Sequence, residues 1–363
     1  MDLSNIMQGK QFISDALPTQ NRGKCIPLTG REKRLYVGDA KVHDANFAFL
    51  QTTLAKLHTS VYEPEAHFTY QEDIPIDTGG GFVDYVEYNT IDYAGILSDT
   101  RNIFGNNGNL IPRVNARMTQ NRVNVFTYEV AYDLRFVELE KMKKVRLQKS
   151  IDSIYKDGIL LGFDYFTQRI GYTGLGSDKG LFNHTNVLTG TIDNSATTGK
   201  GFDGLTDAEV VGFFNGVIMR YLIDSNMNIK LIPDTFLVPS FVSEDLCDRM
   251  SALYTNTLMN FIKEFNIGKA QAGEKFKIEI KARPDLDTLG TGGCGRIVAY
   301  RKDKKYVRLD MPYPIQHFVT MPNINQFAYT TAFVGQVSAI QLPYNQNSAQ
   351  LGVVTYWDFT TEA

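Results

Sequence analysis

The longest helical pattern in the sequence covers residues 133–171 and limits the folds open to the chain. Apolar side chains recur there near the 3.6-residue period of an α-helix, at Ile151, Tyr155, Ile159, Phe163, Phe166 and Ile170. Asp133 is a residue type favoured at helix N-caps, so one helix from Asp133 to about Gly171 is predicted. At about 1.5 Å per residue, its length is on the order of 55 Å. Such a helix is expected to serve as a structural spine.

The segments before this helix read as an arm and an extended β-structure. Residues 1–41 are rich in loop signals, and Val42–Leu57 carries an amphipathic helix pattern with Val42, Phe47, Leu50, Leu54 and Leu57 on one face. Residues 63–131 are rich in β-branched and aromatic side chains. Their apolar content is too thin for an independent domain, so they predict a long two-stranded excursion that rests on another surface.

The segments after the helix mix both types of structure. Helix patterns begin at Thr206 and Ser243, and KFKIEIKA alternates as a half-buried strand with Phe276, Ile278 and Ile280 on one face. The stretches RIVAYR and KYVRLDMPYPI follow as strands, and residues 318–357 are rich in strand signals. The predicted fold class is therefore α+β.

The composition is that of a globular protein with no dedicated nucleic-acid interface. Hydrophobic residues make up 43% and charged residues 21%, and the formal net charge is −3. Cys25, Cys247 and Cys294 lie far apart, which favours neither a disulfide framework nor a zinc cluster. No stretch reaches the ~18 consecutive apolar residues of a membrane span, and the N-terminus lacks a signal-peptide pattern. We expect synthesis in a reducing cytosol and no membrane contact.

The glycine-rich stretch TGLGSDKGLFNHTNV, residues 173–187, tests the enzyme hypothesis. A phosphate-binding loop usually follows a strand and opens a helix, whereas this stretch follows a predicted helix and lacks the Walker residues. The five histidines have no metal-ligand spacing, and no GxSxG elbow or convergent acid–base pair is present. The sequence therefore predicts no enzyme, no cofactor and no metal. An α/β enzyme built on residues 203–317 is the remaining alternative of that class.

Charge is segregated along the chain in two consecutive blocks. Nine acids and no base lie between Lys56 and Arg101, and ten bases against four acids lie from Arg101 to Lys149. One interpretation is two solvated faces; the other is an acidic hairpin of one copy lying over a basic helix of the next. On the second, the candidate contact residues are the acids Glu72, Asp73, Asp77, Asp84 and Glu87 and the bases Lys141, Lys143, Lys144, Arg146 and Lys149.

The order of these parts resembles the major capsid proteins of tailed double-stranded DNA phages, a fold shared with encapsulin nanocompartments. Gly180-Leu181-Phe182-Asn183-His184-Thr185-Asn186-Val187 is similar to the connector that follows the spine helix in these shells, and RIVAYRKDKKYVRLDMPYPIQ is similar to their terminal strand system. Under this resemblance the glycine stretch is a flexible exit from the spine helix, where glycine lets the chain reverse.

The resemblance implies a division into five parts. These are an N-terminal arm with its amphipathic helix (1–62), an extended E-loop hairpin (63–131), the peripheral-domain spine helix with the glycine connector (132–202), an axial α/β domain (203–317) and terminal strands that return to the peripheral domain (318–363).

The implied function is self-assembly into pentamers and hexamers that close into an icosahedral shell around double-stranded DNA. The alternative within this fold is an encapsulin-like shell around an enzyme cargo. The implied partners are other copies of the chain, packaged DNA held without sequence readout, and scaffold, portal and decoration proteins. The implied location is the virion capsid, assembled in the host bacterial cytoplasm.

Two departures from the resembled pattern lead to further expectations. The type member cross-links its shell through a lysine of the extended loop, but this sequence has no lysine between Lys56 and Lys141. We therefore expect a non-covalent shell. No long, charged helical segment precedes Val42, so we expect a separate scaffold protein or none.

Overall fold

The computed structural model describes residues 65–94, 115–142, 150–185, 187–192, 201–202, 204–249, 256–343 and 353–359. The predicted arm, its amphipathic helix and the turn of the E-loop lie outside these residues. None of the helices described has the length and the apolar composition needed to cross a bilayer.

The described residues form α-helices and β-strands along the whole of their length. The helices are α1 (Tyr70–Asp73), α2 (Phe136–Met142), α3 (Ile151–Tyr172), α4 (Asp207–Asp224), α5 (Ser240–Asp248), α6 (Leu258–Glu264) and α7 (Ile267–Ala272). The strands are β1 (Ile76–Thr78), β2 (Tyr85–Ala94), β3 (Asn115–Arg135), β4 (Gly174–Leu175), β5 (Asp178–Lys179), β6 (Leu188–Ile192), β7 (Thr235–Val238), β8 (Glu279–Ala282), β9 (Arg296–Tyr300), β10 (Leu309–Met311), β11 (Tyr313–His317), β12 (Met321–Asn323), β13 (Ala328–Ser338) and β14 (Val354–Phe359).

The chain divides into two compact units. The α3 unit contains the described residues of 46–185 and 302–346, and the α4 unit contains those of 186–301 and 347–363. These units do not coincide with the predicted segments 203–317 and 318–363. Residues 302–317 belong to the α3 unit, whereas β14 belongs to the α4 unit because it pairs with β6 and β9. The role of each part within a shell stays a prediction.

In the α3 unit a helix packs on an antiparallel sheet. The strands run in the order β11, β13, β3, β2, and β12 pairs with residues 328–330 at the start of β13. Helix α3 begins after Ser150, whose side chain accepts a hydrogen bond from the Ser153 amide. Its inner face joins the sheet in a core cluster of Tyr132, Leu134, Ile159 and Phe333. The 22 residues of α3 span about 33 Å.

The predicted start of the spine helix at Asp133 is wrong. Asp133 lies in β3 opposite Thr330 of β13. Tyr132 and Leu134 are buried while Asp133 and Arg135 are exposed, which is the two-residue period of a half-buried strand. A short helix, α2, follows the strand, and the main helix starts only at Ile151.

The α4 unit is a mixed sheet with helices packed against it. Its strands run in the order β6, β14, β9, β7, β8, with β7–β8 and β6–β14 parallel and the other two pairs antiparallel. Helix α4 begins as predicted after Thr206, which forms a complete capping box with Glu209. Phe276, Ile278 and Ile280 are buried as predicted, although β8 itself starts only at Glu279.

The glycine-rich stretch after α3 forms a hydrogen-bonded hairpin, β4–β5, rather than a flexible connector. The chain does reverse there: the amides of Leu181 and Phe182 donate to the carbonyls of Gly171 and Tyr172 at 2.8 and 2.9 Å. The Asn183 side chain fixes the turn, because its oxygen accepts from the Gly180 amide and its nitrogen donates to the Thr173 carbonyl. The reversal of the chain at these glycines is as predicted.

Replacing Gly174 should be more costly than replacing its neighbour Gly176. Both have left-handed φ values, 78° and 64°, and an alanine there costs about 1–2 kcal/mol from backbone strain. A Cβ at Gly174 would also lie 2.0 Å from the Asp178 carbonyl oxygen, whereas one at Gly176 meets nothing within 4 Å. We expect Gly174→Ala to lower the unfolding midpoint of the purified chain clearly more than Gly176→Ala. Equal effects would show that the hairpin yields at Asp178.

Candidate assembly surfaces

Strand β3 belongs to two structures at once. Its residues 125–135 pair with β13 in the sheet of the α3 unit, whereas residues 115–124 pair with β2. The changeover is immediate, because Val125 faces Ser338 and Asn124 faces Tyr85. We call β2 and residues 115–124 the hairpin arm. Ten residues of extended strand give it a length of about 34 Å.

The antiparallel register of the hairpin arm brings the acidic and basic blocks of the sequence together. Glu87 faces Arg122, and the guanidinium Nη2 lies 2.8 Å from the Glu87 Oε1 atom. The same guanidinium lies 4.1 Å from the centre of the Tyr85 ring. Asp92 and Arg117 are register partners further along. Part of the charge segregation is therefore neutralised within one chain, an alternative that reasoning along the sequence missed.

The outward half of the hairpin arm carries an exposed apolar pair. Ile91 and Met118 face each other across the two strands, and their exposed fractions are 53% and 64%. Both lie on the same face as Glu87 and Arg122, because successive side chains alternate between the faces. More than half of each side chain is exposed.

The predicted acids near the root of the hairpin arm are engaged within the chain. Asp73 is fully buried and accepts a 2.6 Å hydrogen bond from the Tyr172 hydroxyl, so it does not belong to an exposed surface. Glu72 lies 3.4 Å from the His67 ring nitrogen, and Asp77 lies 3.0 Å from Lys304 Nζ. Asp84 and Glu87 are exposed.

Buried polar groups anchor the same root to the body of the α3 unit. The Tyr70 hydroxyl donates to Asp164 at 2.8 Å, and burial raises the pKa of Tyr70 to about 12. Strand β1 pairs in parallel with β10, which sets Asp77 opposite Asp310. Burial raises the pKa of the Asp310 carboxyl, although Gln341 donates to it at 2.7 Å. The hairpin arm thus starts from a fixed base.

Of the predicted bases, the structure locates one. Lys141 is exposed in the last turn of α2. Lys143, Lys144, Arg146 and Lys149 lie outside the described residues. The predicted contact between these bases and the acids of another copy stays a prediction.

A second exposed apolar surface lies at one end of the α3-unit sheet, where β11, β12 and β13 meet. We call it the apolar tip; it consists of Phe136, Val137, Phe318, Val319, Met321, Ile324, Phe327 and Tyr329. Val319, Ile324 and Phe327 are each about 80% exposed (80%, 82% and 79%). The amide of Phe136 donates to the Phe327 carbonyl at 3.0 Å, which joins α2 to this surface.

Phe327 also has an unusual backbone conformation. Its φ is 49°, in the left-handed region that bulky residues avoid. Such strain costs about 1–2 kcal/mol for an L-amino acid. Phe327 closes the turn that begins at Ile324, where its amide donates to the Ile324 carbonyl at 3.5 Å. The apolar residues between residues 318 and 329 predict strands, but their pattern does not predict that their side chains are exposed.

The exposed apolar side chains favour contacts with other macromolecules. Within the described ranges there is no group of three or more His, Cys, Asp or Glu side chains that could hold a metal ion. The apolar tip is a surface of eight exposed, largely apolar side chains. Patches of this kind mark protein–protein interaction sites.

The comparisons with known proteins agree with this geometry. The family model described as major capsid protein matches residues 99–348. The capsid of Myoviridae phage XM1 is 14% identical with a TM-score of 0.65, and the match covers 85% of this chain and 98% of that chain. The capsid of a native GTA particle is 10% identical with a TM-score of 0.53, covering 88% and 99%. The structure described as Mycobacterium phage Bobi is 10% identical with a TM-score of 0.51, and the match covers 85% of this chain and 96% of that chain.

No curated protein matches the sequence. The structural likenesses confirm the expected phage capsid fold, which combines helices and sheets, and the family match extends over well more than half of the chain. The chain therefore belongs to the major capsid protein family and is a structural subunit of a bacteriophage shell.

Proposed function

We propose that this protein forms pentamers and hexamers that close around double-stranded DNA, in virions assembled in the cytoplasm of a bacterial host. The observation that carries the proposal is the presence of two separate exposed apolar sites on one chain, the pair Ile91 and Met118 of the hairpin arm and the apolar tip. Several distinct contact surfaces on one subunit allow ring closure at one surface and joining of rings at another.

The hairpin arm requires a neighbouring copy as its support. An isolated two-stranded hairpin is marginally stable in water, and its outer apolar pair, Ile91 and Met118, is exposed. Covering such side chains contributes about 1.5–3 kcal/mol each. We infer that the outward half of the arm lies on the surface of the next copy. The acids and bases predicted from the sequence would add orientation to this contact rather than most of its affinity.

The nucleic acid would be held without sequence readout. The formal net charge of −3 gives no overall positive charge to attract DNA, so contacts would be local and dependent on salt. The shell would be non-covalent, because no lysine is present between Lys56 and Lys141 to form a cross-link in the hairpin. Scaffold, portal and decoration proteins remain partners proposed by resemblance alone.

A compartment with an enzyme cargo is the alternative within this fold. The family description and the phage capsids among the solved structures favour the phage shell over it. An enzyme built on residues 203–317 is disfavoured for the same reason.

The decisive experiment is electron microscopy of the chain expressed alone, combined with light scattering and with nucleic-acid analysis of particles from the native producer. We expect closed shells or capsomer rings from the chain alone, and nuclease-resistant double-stranded DNA inside the native particles. Boiled and reduced particles should run as a single band near 40.9 kDa. A persistent monomer even with added scaffold would contradict shell formation, a protein cargo would support the compartment, and a covalent ladder would disprove the non-covalent shell.

A further inference from the structure

A buried carboxyl group lies in the strand that holds the root of the hairpin arm. Asp310 is 7% exposed in β10, and the parallel pairing of β1 with β10 makes Asp77 its register partner. Register partners on neighbouring strands point to the same face of a sheet, so two carboxyl groups lie side by side here. A buried carboxylate needs a cation or several hydrogen bonds to stay ionised.

The neighbours of Asp310 compensate its negative charge only in part. Gln341 donates to its Oδ2 atom at 2.7 Å. The Nε atom of Arg308 lies 2.9 Å from its Oδ1 atom, but neither of these two atoms has a hydrogen-bond partner among the described residues. The Arg308 Nη2 atom donates to Gln341 instead, at 2.9 Å. Burial therefore outweighs both neighbours and raises the pKa of Asp310.

The other carboxyl group of the pair has a cation of its own. Lys304 Nζ lies 3.0 Å from Asp77 Oδ1, and at least half of each side chain is exposed. The charged groups that act on Asp310 are thus Arg308, which precedes it on its own segment, and Asp77 on β1, whose charge opposes ionisation of Asp310. From β13, Ser338 accepts a hydrogen bond from the Asp310 amide at 3.1 Å.

The pairing that contains Asp310 is short and leads directly into the arm. The ladder between β1 and β10 joins three residue pairs. After it, the amides of Gly79 and Gly81 donate to the carbonyls of Met311 and Pro312, both at 3.2 Å. Strand β2 of the hairpin arm begins soon afterwards, at Tyr85. We call the pairing of residues 76–81 with residues 309–312 the root contact. A contact this short opens locally at a low free energy, so one charge can change how often it opens.

We propose that Asp310 makes the root contact sensitive to pH, so that the contact closes more firmly when this side chain binds a proton and opens more often when it is ionised. The sign follows from linkage. The closed contact buries Asp310 and binds its proton more tightly than the open one does. The resulting stabilisation is present in acid and is lost as the pH rises through the raised pKa of the closed state.

The root contact would control how freely the hairpin arm moves relative to the body of its own unit. A protonated Asp310 would fix the direction in which the arm leaves the α3 unit, and an ionised one would let the arm swing. The consequence for a shell rests on the proposed function, in which the arm lies on the next copy. The contact itself is a property of the single chain and is tested without assembly.

Hydrogen exchange of the full-length, unassembled chain, measured by mass spectrometry, tests this inference. From about pH 7 to about pH 4.5, we expect the protection of the peptide with Gly79 and Gly81, corrected for the chemical exchange rate, to rise at least about threefold. Asp310→Asn should show the higher protection already at neutral pH and remove the pH dependence, because the amide carries no charge. Wild-type protection that stays constant with pH, or an Asp310→Asn chain no better protected than wild type at neutral pH, overturns the proposal.

A matched variant and an internal reference locate the effect. Asp77→Asn removes the neighbouring charge but leaves Asp310 in place, so the pH dependence should remain. Its loss in Asp77→Asn would assign the titration to Asp77 and contradict the role of Asp310. Helix α4 lies in the other unit, and its protection should be the same in wild type and Asp310→Asn. An equal change in α4 would mean a global change in stability and would also contradict a local contact.

Discussion

Asp358→Ala should lower the free energy of unfolding of the α4 unit by about 3–5 kcal/mol, the usual cost of removing one partner of a buried ion pair. Asp358 is fully buried in β14, and both of its carboxylate oxygens bind Arg296 of β9, at 2.6 and 2.8 Å. The carboxylate also accepts hydrogen bonds from the amide and hydroxyl of Thr291. Removing the carboxylate leaves the largely buried Arg296 guanidinium without its counter-ion. It also leaves the amide and hydroxyl of Thr291 without their acceptor.

The single tryptophan of the chain makes this measurement direct. Trp357 lies next to Asp358 in β14 and packs edge-on against Phe213, so its fluorescence reports unfolding of this unit in urea. Asp224→Ala is the matched control, because it removes an exposed ion pair with Arg220 in the same unit and should cost less than about 0.5 kcal/mol. If Asp358→Ala lowered the free energy of unfolding no more than the control does, the ion pair between Asp358 and Arg296 would contribute little to stability.

Serine substitution of Val319, Ile324 and Phe327 should abolish shell formation while the chain stays folded. The three side chains are 79–82% exposed in the apolar tip, so their removal creates no cavity in the described core. At about 1.5 kcal/mol or more for each covered side chain, the loss exceeds about 4 kcal/mol per copy, near a thousandfold in the association constant. Light scattering and electron microscopy at equal protein concentration measure the result.

A control from the same turn separates the apolar contribution from a change in the loop. Asn325 and Gln326 are exposed neighbours of these residues, and Asn325→Ser with Gln326→Ser should leave shells intact. Shells of normal yield from the triple serine variant would exclude the apolar tip as a contact between copies. Loss of shells in both variants would point to the shape of the turn instead.

The sequence predicted most of the fold because local patterns and tertiary packing agree in most segments. The helix start at Thr206 was predictable from the capping box with Glu209, and the burial of Ile278 and Ile280 was predictable from strict alternation. The error at Asp133 arose where a strand runs directly into helical sequence. There, Tyr132 and Leu134 alternate toward the sheet while Asp133 has the residue type of a helix cap.

The candidate surfaces were harder to predict, for a physical reason. Charge runs along a sequence do not reveal which strands pair, so neither interpretation of the charge blocks included the pairing of Glu87 with Arg122 in the same hairpin. Asp73 is a residue type that usually lies on the surface, but here it is buried and accepts a hydrogen bond from the Tyr172 hydroxyl. Exposure of an apolar residue such as Ile324 depends on the fold around it, and no local pattern encodes that exposure.

The unbroken course of β3 determines how the shell subunit responds to mechanical load. A force on the end of the hairpin arm pulls along the strand axis, and the ladder to β13, with 11 register pairs, lies perpendicular to that axis. The hydrogen bonds are then loaded together in shear instead of being peeled apart one after another. If the arm lies on the next copy, as proposed above, a load on the shell would pass along β3 into its ladder with β13.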